Sequence, residues 1–577
     1  MKKSLLLLTF FLWIQHVHAI DIKSLNESGK SISYDEVIIF YKQLDEKYKT
    51  AKLFTEGLTD VGRPLHVFVI SSDQIFDPVE ARNKGKIIIL INNGIHPGEP
   101  DGIDASARLA EEYLSGNKSI PSNTILCIIP VYNVDGSLKR GCCSRANQDG
   151  PDEYGFRGNA RNLDLNRDFI KCDSENAMSF TKIFRAWDPD VFVDTHVSNG
   201  SDYQYTLTLI STQHNKLGGP VGEYIKKQMT PALFNLMKEQ GQEMSPYVNT
   251  SKYDESPESG IYGFMESPRF GTGYSALFHS LGFVTETHML KPFAERVEAT
   301  ITFLEVIVSY SSKNSEQIQL ARKLSKEAIK TQKEFTLNWN LDSSQFDIFP
   351  FKGYEAMHKT SKVTGLEQLY YDRSQPYTRD IKFFDVYTPS LSVKKPDFYI
   401  VPQAWKEVVD RMQLNGVSMT RLNNDTTMQM ETYVISDFKS GTNPYEGHYL
   451  HHSVTFSTET KKVSYHKGDY KIIVNQECNR YIVETLEPNA PDSWFAWGFF
   501  DAILQQKEWF SGYVFEPLAE QILKENDSLR AEFENKKASE KEFAASSFSQ
   551  LYFIYKNSKY FEDFRRYPVG RGRFSDQ

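Results

Sequence analysis

Between residues 35 and 310, short unbroken apolar runs alternate with stretches in which apolar residues recur every three or four positions. KIIILIN (86–92), TILCIIP (124–130), DVFVDTH (190–196) and LGFVTETH (281–288) are runs of the first kind. Their length and β-branched content predict buried strands rather than helices. DGIDASARLAEEYLSG (101–116) is of the second kind and predicts an amphipathic helix ended by Gly116. Strands that alternate with helices imply an open, mixed, mostly parallel α/β sheet flanked by helices.

The pattern changes near residue 335. EQIQLARKLSKEAIKTQKEF (316–335) predicts a connecting helix within 313–335, and the polar SSKNSE before it marks the boundary of an α/β domain over 20–312. FDVYTP, DFYIVP, METYVISDF, HSVTFSTET and YKIIVNQ then alternate apolar and polar positions, which predicts a mostly β accessory domain over 336–490. SWFAWGFFDAILQQKEWF and FEPLAEQILKENDSLRAEFENKK predict a helical C-terminal region over 491–577, with WFAWGFF as helix core. The role of residues 336–577 stays open. At the other end, MKKSLLLLTFFLWIQHVHA carries two lysines, an apolar stretch from Leu5 to Ile14 and a small residue at Ala19. That stretch is too short to span a bilayer and predicts a signal peptide (1–19), hence a secreted or periplasmic chain.

A chain of 577 residues exceeds one hydrophobic core. Cleavage after Ala19 removes Lys2 and Lys3 and takes the formal charge from −9 to −11. That balance argues against nucleic acid or an anionic membrane as partner. No second apolar run is long enough for a membrane span, and the oligomeric state is not legible. The five cysteines are too few and too irregular for a disulfide scaffold or a Cys-rich metal site. Export permits a bridge from Cys172 to Cys142 or Cys143, and the odd count of five leaves one cysteine unpaired.

The chemistry begins where the first run stops. After KIIILIN the chain turns polar and presents His96 and Glu99 three residues apart, in NNGIHPGEPDG (92–102). One such pair arises readily by chance. Here a third candidate, His196, ends DVFVDTH, and a carboxylate, Glu286, lies near the end of LGFVTETH. In open α/β sheets, sites form beyond the carboxyl ends of strands. Two histidines and a glutamate form a common hydrolytic zinc set that leaves a position for water. The histidines of YEGHYLHH (445–452) fall on alternating strand positions, which scatter over both faces, and are expected to be structural.

HPGE (96–99), YNVDG (132–136), DLNRDF (164–169), DTH (194–196) and TETH (285–288) occur in an order that resembles the zinc metallocarboxypeptidase family, typified by the pancreatic enzymes. The resemblance covers roughly residues 35–310. It implies one Zn2+ per chain on His96, Glu99 and His196, with peptide or protein C-termini as substrate. Glu286 would act as general base and then acid toward a water that the metal polarises. Asp164 would bond the ligand histidine of HPGE and fix its tautomer. Asn166 and Arg167 would grip the substrate's terminal carboxylate, a task suited to the guanidinium fork. Arg157, nine residues before Asn166 as in the cytosolic branch, is preferred as the group that polarises the scissile carbonyl; Arg145, nearer the pancreatic-type spacing, is the alternative.

The pancreatic enzymes also carry a mobile tyrosine; Tyr262 and Tyr274 fall in the right stretch and neither aligns cleanly. His288 either supports the site or packs in the core. Substrate preference is expected from the loop between the Tyr262 region and Glu286. The short segment after Ala19 leaves no room for an N-terminal prodomain. The same site could instead serve an amidohydrolase that deacylates N-acyl amino acids or cleaves peptidoglycan peptides. A third possibility is an inactive binding protein.

Overall fold

All six residues of Ile87–Asn92 are buried, and both edges of this strand are paired. An apolar run of this length is satisfied only as an inner strand. It is β3 in a computed structural model that describes residues 20–250, 256–562 and 564–576; the predicted signal peptide lies outside the described residues. The strands of the N-terminal part are β1 (Ala51–Leu58), β2 (Pro64–Ile70), β3, β4 (Thr124–Ile129), β5 (Val191–Ser198), β6 (Leu207–Ser211), β7 (Ser245–Pro246), β8 (Ile261–Tyr262) and β9 (Leu281–His288). All but β8 form one sheet, in the order β1-β2-β4-β3-β5-β9-β6-β7. β4, β3, β5 and β9 run parallel, and β2 and β6 pair antiparallel at either side of them. The predicted mixed, mostly parallel sheet is present.

The helix Asp101–Ser115 ends at Gly116, whose φ of 84° is the left-handed conformation that glycine adopts without cost. At its other end Gly102 lies so close to β5 that a Cβ would fall 1.9 Å from Thr195 Oγ1. The buried guanidinium of Arg296, on the helix Phe293–Lys313, bonds Asp101 at 3.0 Å and joins the two helix starts. Register then does the positioning. Between β5 and β9, His196 stands opposite Glu286, and between β3 and β5, Asn92 stands opposite Asp194.

The chain divides into two compact units, one comprising residues up to 325 with 341–387, the other 326–340 with 388 onward. This departs from the expected single accessory domain over 336–490. The hairpin Asp347–Thr360/Glu367–Phe384 belongs to the first unit because Phe383 and Phe384 pair with β8. It also joins a cluster of Tyr203, Tyr205, Ile261, Phe351 and Ile381. Most of its residues are exposed on both faces, so no clean alternation announced it. The expected boundary at SSKNSE is only a break at Asn314 between two helices, Phe293–Lys313 and Ser315–Thr331. The second helix carries Arg322, whose guanidinium bonds Asp188 at 2.8 Å inside the first unit.

In the second unit, Phe398–Val401 pairs antiparallel with Tyr470–Ile473 and with Gly570–Gly572. The strand Thr426–Ser440 pairs with His451–Tyr465. Residues 491–577 are therefore not purely helical: their last strand completes a sheet. The stretch 493–510 is a series of turns with a short 3-10 turn at Asp501–Leu504. Gly498, at φ 77°, interrupts any helix there, while Trp494 and Trp497 are fully buried. Asn526 splits the next expected helix into Gly512–Glu525 and Asp527–Ser539, its side chain capping the second at Leu529 N. His451 is held between Ser440 and Asp501, at 2.8 Å from each, a structural role.

The cysteine expectation is corrected. Cys142 and Cys143 are bonded to each other, and Cys172 is a buried thiol turned toward Thr181. Burial inside the core keeps Cys172 from reaching the loop. Among the described residues, no helix is long and apolar enough to cross a membrane.

Candidate metal and substrate site

The turn after β3 and the ends of β5 and β9 open on one cavity of about 260 Å³. His96, Glu99 and His196 meet there, each buried, with their ligand atoms within 4.8 Å of one another. Both ring nitrogens of His96 are accounted for differently. Its Nε2 lies 2.9 Å from Asp164 Oδ1. Its Nδ1 is buried, 3.3 Å from Glu99 Oε1, and outside hydrogen-bonding geometry. His196 Nδ1 lies 3.2 Å from Glu99 Oε2, which also accepts from the Val197 backbone N–H at 3.0 Å. His196 Nε2 faces Asp194 at 3.2 Å. A ring nitrogen with nothing to bond, turned toward a carboxylate and a second imidazole, is a donor set that a cation completes. The residues present fit zinc.

Charge is concentrated here. Burial opposes ionisation of Glu99, yet His96 and Arg145 hold its carboxyl well below the usual carboxylate range. Asp164 is likewise depressed against burial by His96 and Arg157. Burial would lower the His196 imidazole, but Asp194 and Glu99 raise it well above its usual value. Glu286 differs: burial dominates and lifts its carboxyl to about 8, with Glu99 and Glu266 adding to the rise against His196. A half-buried carboxyl whose ionisation is opposed, beside His96, Glu99 and His196, is a candidate for proton transfer.

The short turn Leu165–Arg167 follows Asp164, whose carboxylate caps Asn166 N at 2.9 Å. Arg167 stacks its guanidinium 4.3 Å from the centre of the Phe270 ring and bonds the Asn166 carbonyl. Asn166 and Arg167 both line the cavity, with Arg145 and Arg157.

Residues 37–259 match the zinc carboxypeptidase family model. Over that span the chain carries a domain similar to the zinc carboxypeptidases. It is similar to Carboxypeptidase 2 of Trichophyton tonsurans, 20% identical over 475 residues that cover 76% of this chain and 78% of that protein. Carboxypeptidase 2 of Trichophyton rubrum is 20% identical over 448 residues, covering 73% and 75%. Among solved structures, a putative carboxypeptidase A from Shewanella denitrificans OS-217 aligns with a TM-score of 0.36 at 17% identity, over 49% of this chain and 69% of that one.

The matched span ends before β9, and the β5–β9 register brings Glu286 into the cavity. Both candidate arginines of the enzyme touch Glu99. Arg145 does so at 2.9 Å and is braced by Gln148 at 2.6 Å. Arg157 stands 3.5 Å from Glu99 and 2.9 Å from Asp164, with nearly half its side chain exposed to the cavity. The tyrosine candidates do not meet the other groups. Tyr274 is buried in the core against Phe169, Phe184 and Phe278. Tyr262 stacks on Phe384 and lines a smaller adjoining cavity of about 70 Å³. Phe264 and Tyr247, packed edge to face, take that wall of the main cavity instead. His288 packs as a core histidine against Tyr203, its Nε2 bonded to Ser201 O at 2.9 Å, and burial lowers it to about 4. One acidic residue of the cavity was missed by sequence reasoning: Glu266, whose carboxyl burial lifts to about 7. It sits in an aperiodic loop, where no strand end or spacing marks it.

Proposed function

We propose that this metallocarboxypeptidase removes C-terminal residues from peptides, with one zinc held by His96, Glu99 and His196. The observation that carries the reading is the pairing of His196 with Glu286 across β5–β9, in one cavity with Asn166 and Arg167. Zinc bound there supplies Lewis-acid polarisation of the reacting groups. Asp164 fixes His96 through its Nε2, which leaves Nδ1 for the metal. Asn166 and Arg167 receive the terminal carboxylate; stacking on Phe270 holds the guanidinium in plane for two parallel bonds. Arg157 reaches toward the scissile carbonyl and steadies the charge that develops on its oxygen. Glu286 removes the proton of the attacking water and delivers it to the leaving amine. Arg145, committed to Glu99 and Gln148, positions the metal ligand. The N-terminal signal supports export, so peptides outside the cytoplasm are the substrates.

Mass spectrometry of a digest tests this. The zinc-loaded enzyme should shorten a linear peptide one residue at a time from its C-terminus and leave the C-terminally amidated peptide whole. Internal fragments, or release of an N-acyl group alone, would assign the site to an endopeptidase or a deacylase.

A further inference from the structure

Resting on the reading that His96, Glu99 and His196 hold zinc, the loop beside them carries a redox-sensitive element. Cys142 and Cys143 are neighbours in sequence and are bonded to each other, so the bridge closes a small ring around their own peptide bond. Both are exposed, whereas Cys127, Cys172 and Cys478 are buried. A reductant therefore meets this bond first. Cys143 has a φ of 80°, in the left-handed region that a residue with a Cβ seldom occupies. The ring holds it there together with the Tyr154 hydroxyl, which accepts from Cys143 N at 2.9 Å. The same hydroxyl accepts from Arg145 N at 3.0 Å. Tyr154 is buried and its backbone pairs with Gly141, so the acceptor is fixed. Arg145 passes the constraint to the metal ligands. Its Nη1 bonds Glu99 Oε1 at 2.9 Å, and its stem lies so close to the HPGE turn that a Cβ on Gly98 would fall 2.6 Å from Arg145 Cδ. With a fit that close, the contact to Glu99 depends on where the loop backbone stands.

We propose that Cys142–Cys143 is a reversible reduction site that sets how tightly the chain retains zinc, with a dithiol as its reductant. One thiolate of the dithiol attacks a sulfur of the pair and forms a mixed disulfide. The second thiol then attacks the reductant's own sulfur in that bond and releases the cysteine. The protein gains two electrons and two protons as a pair of thiols, and the dithiol leaves as its cyclic disulfide. Opening the ring frees Cys143 to return to negative φ. That turns its N–H away from Tyr154 and carries Ser144 and Arg145 off Glu99. Oxidation reverses each step. The export proposed above would bring the chain to where such a bond persists, so zinc would be held tightly after export and weakly before it.

The experiment uses the full-length, zinc-loaded protein and a water-soluble phosphine. The phosphine reduces the disulfide, takes its oxygen from water to become the phosphine oxide, and adds no chelating thiol. Iodoacetamide labelling with mass spectrometry locates the new thiols, and competition with a chelator gives the zinc Kd before and after. Reduction should label Cys142 and Cys143 and raise Kd roughly 10- to 100-fold, the range for losing a group that orients a metal ligand. Reoxidation should restore the tighter value. Cys142→Ser/Cys143→Ser should start at the weaker Kd and ignore the phosphine. Arg145→Ala already lacks the contact and should lose nothing further on reduction; an additive loss would overturn the route through Arg145. Labelled cysteines with an unchanged Kd, or a bond that resists the phosphine in the folded protein, would overturn the proposal. Wild type decides this even if a variant does not fold. Failure of the underlying reading looks different: oxidised wild type would then bind no zinc before any reductant is added, and the proposal would fall with it.

Discussion

His96 meets Asp164 through one nitrogen and leaves the other without a bond. Because His96, Glu99 and His196 converge, His196→Ala should lose zinc, read by elemental analysis, with little change in circular dichroism; full occupancy in that variant would show the third ligand is misassigned. Glu286→Gln keeps shape and cannot take a proton. It should retain zinc and lose roughly 10²–10⁴-fold in kcat, and a variant keeping a tenth of wild-type turnover would move the base elsewhere. The two arginines separate by readout. Arg157→Ala should lower kcat by roughly 10²-fold, whereas Arg145→Ala should weaken zinc affinity roughly 10- to 100-fold, because its guanidinium anchors Glu99. The opposite pattern would exchange their roles. At this scale the sequence was informative where a side chain ends an apolar run, as for His96, His196 and Glu286. It was silent for Arg145 against Arg157 and for Glu266, which sit in loops where no periodicity fixes direction.

The elements that carry these side chains were legible for the same reason: inner strands must be continuously apolar, and a glycine such as Gly116 ends a helix visibly. The hairpin Asp347–Thr360/Glu367–Phe384 was not. It wets both faces, and its attachment depends on pairing with β8, far away in sequence. The helix Asp101–Ser115 adds a testable electrostatic feature. Asp104 is fully buried, its Oδ1 accepting from Asn26 Nδ2 at 2.6 Å and Ile32 N at 3.1 Å, while its Oδ2 has no partner. Burial lifts its carboxyl from 3.8 to about 7. The folded state thus prefers the protonated form. Its contribution is fully present below the unfolded value near pH 4, declines by up to roughly 1.4 kcal/mol per pH unit, and is lost as pH rises through 7. Asp104→Asn keeps both accepted bonds without the charge. Its melting temperature should exceed that of wild type at pH 8 and approach it near pH 4; a constant difference across that range would refute the assignment.

The whole chain was read as four successive segments after the signal, yet it forms two units that trade segments, 341–387 going to the first and 326–340 to the second. Composition cannot reveal such an exchange, because it is set by pairing partners rather than by local pattern. What the whole molecule does depends on whether the chain end is read. Zinc and Glu286 could hydrolyse many amides; Arg167 with Asn166 would make the enzyme an exopeptidase. The direct measurement is kcat/KM of wild type and Arg167→Ala, each against one peptide and its C-terminal amide. Wild type should strongly favour the free acid. Loss of the guanidinium should cost roughly 10- to 150-fold on the acid, the worth of a charge-assisted hydrogen bond, and almost nothing on the amide. Equal cleavage of acid and amide by wild type, or an equal loss on both in Arg167→Ala, would contradict the account.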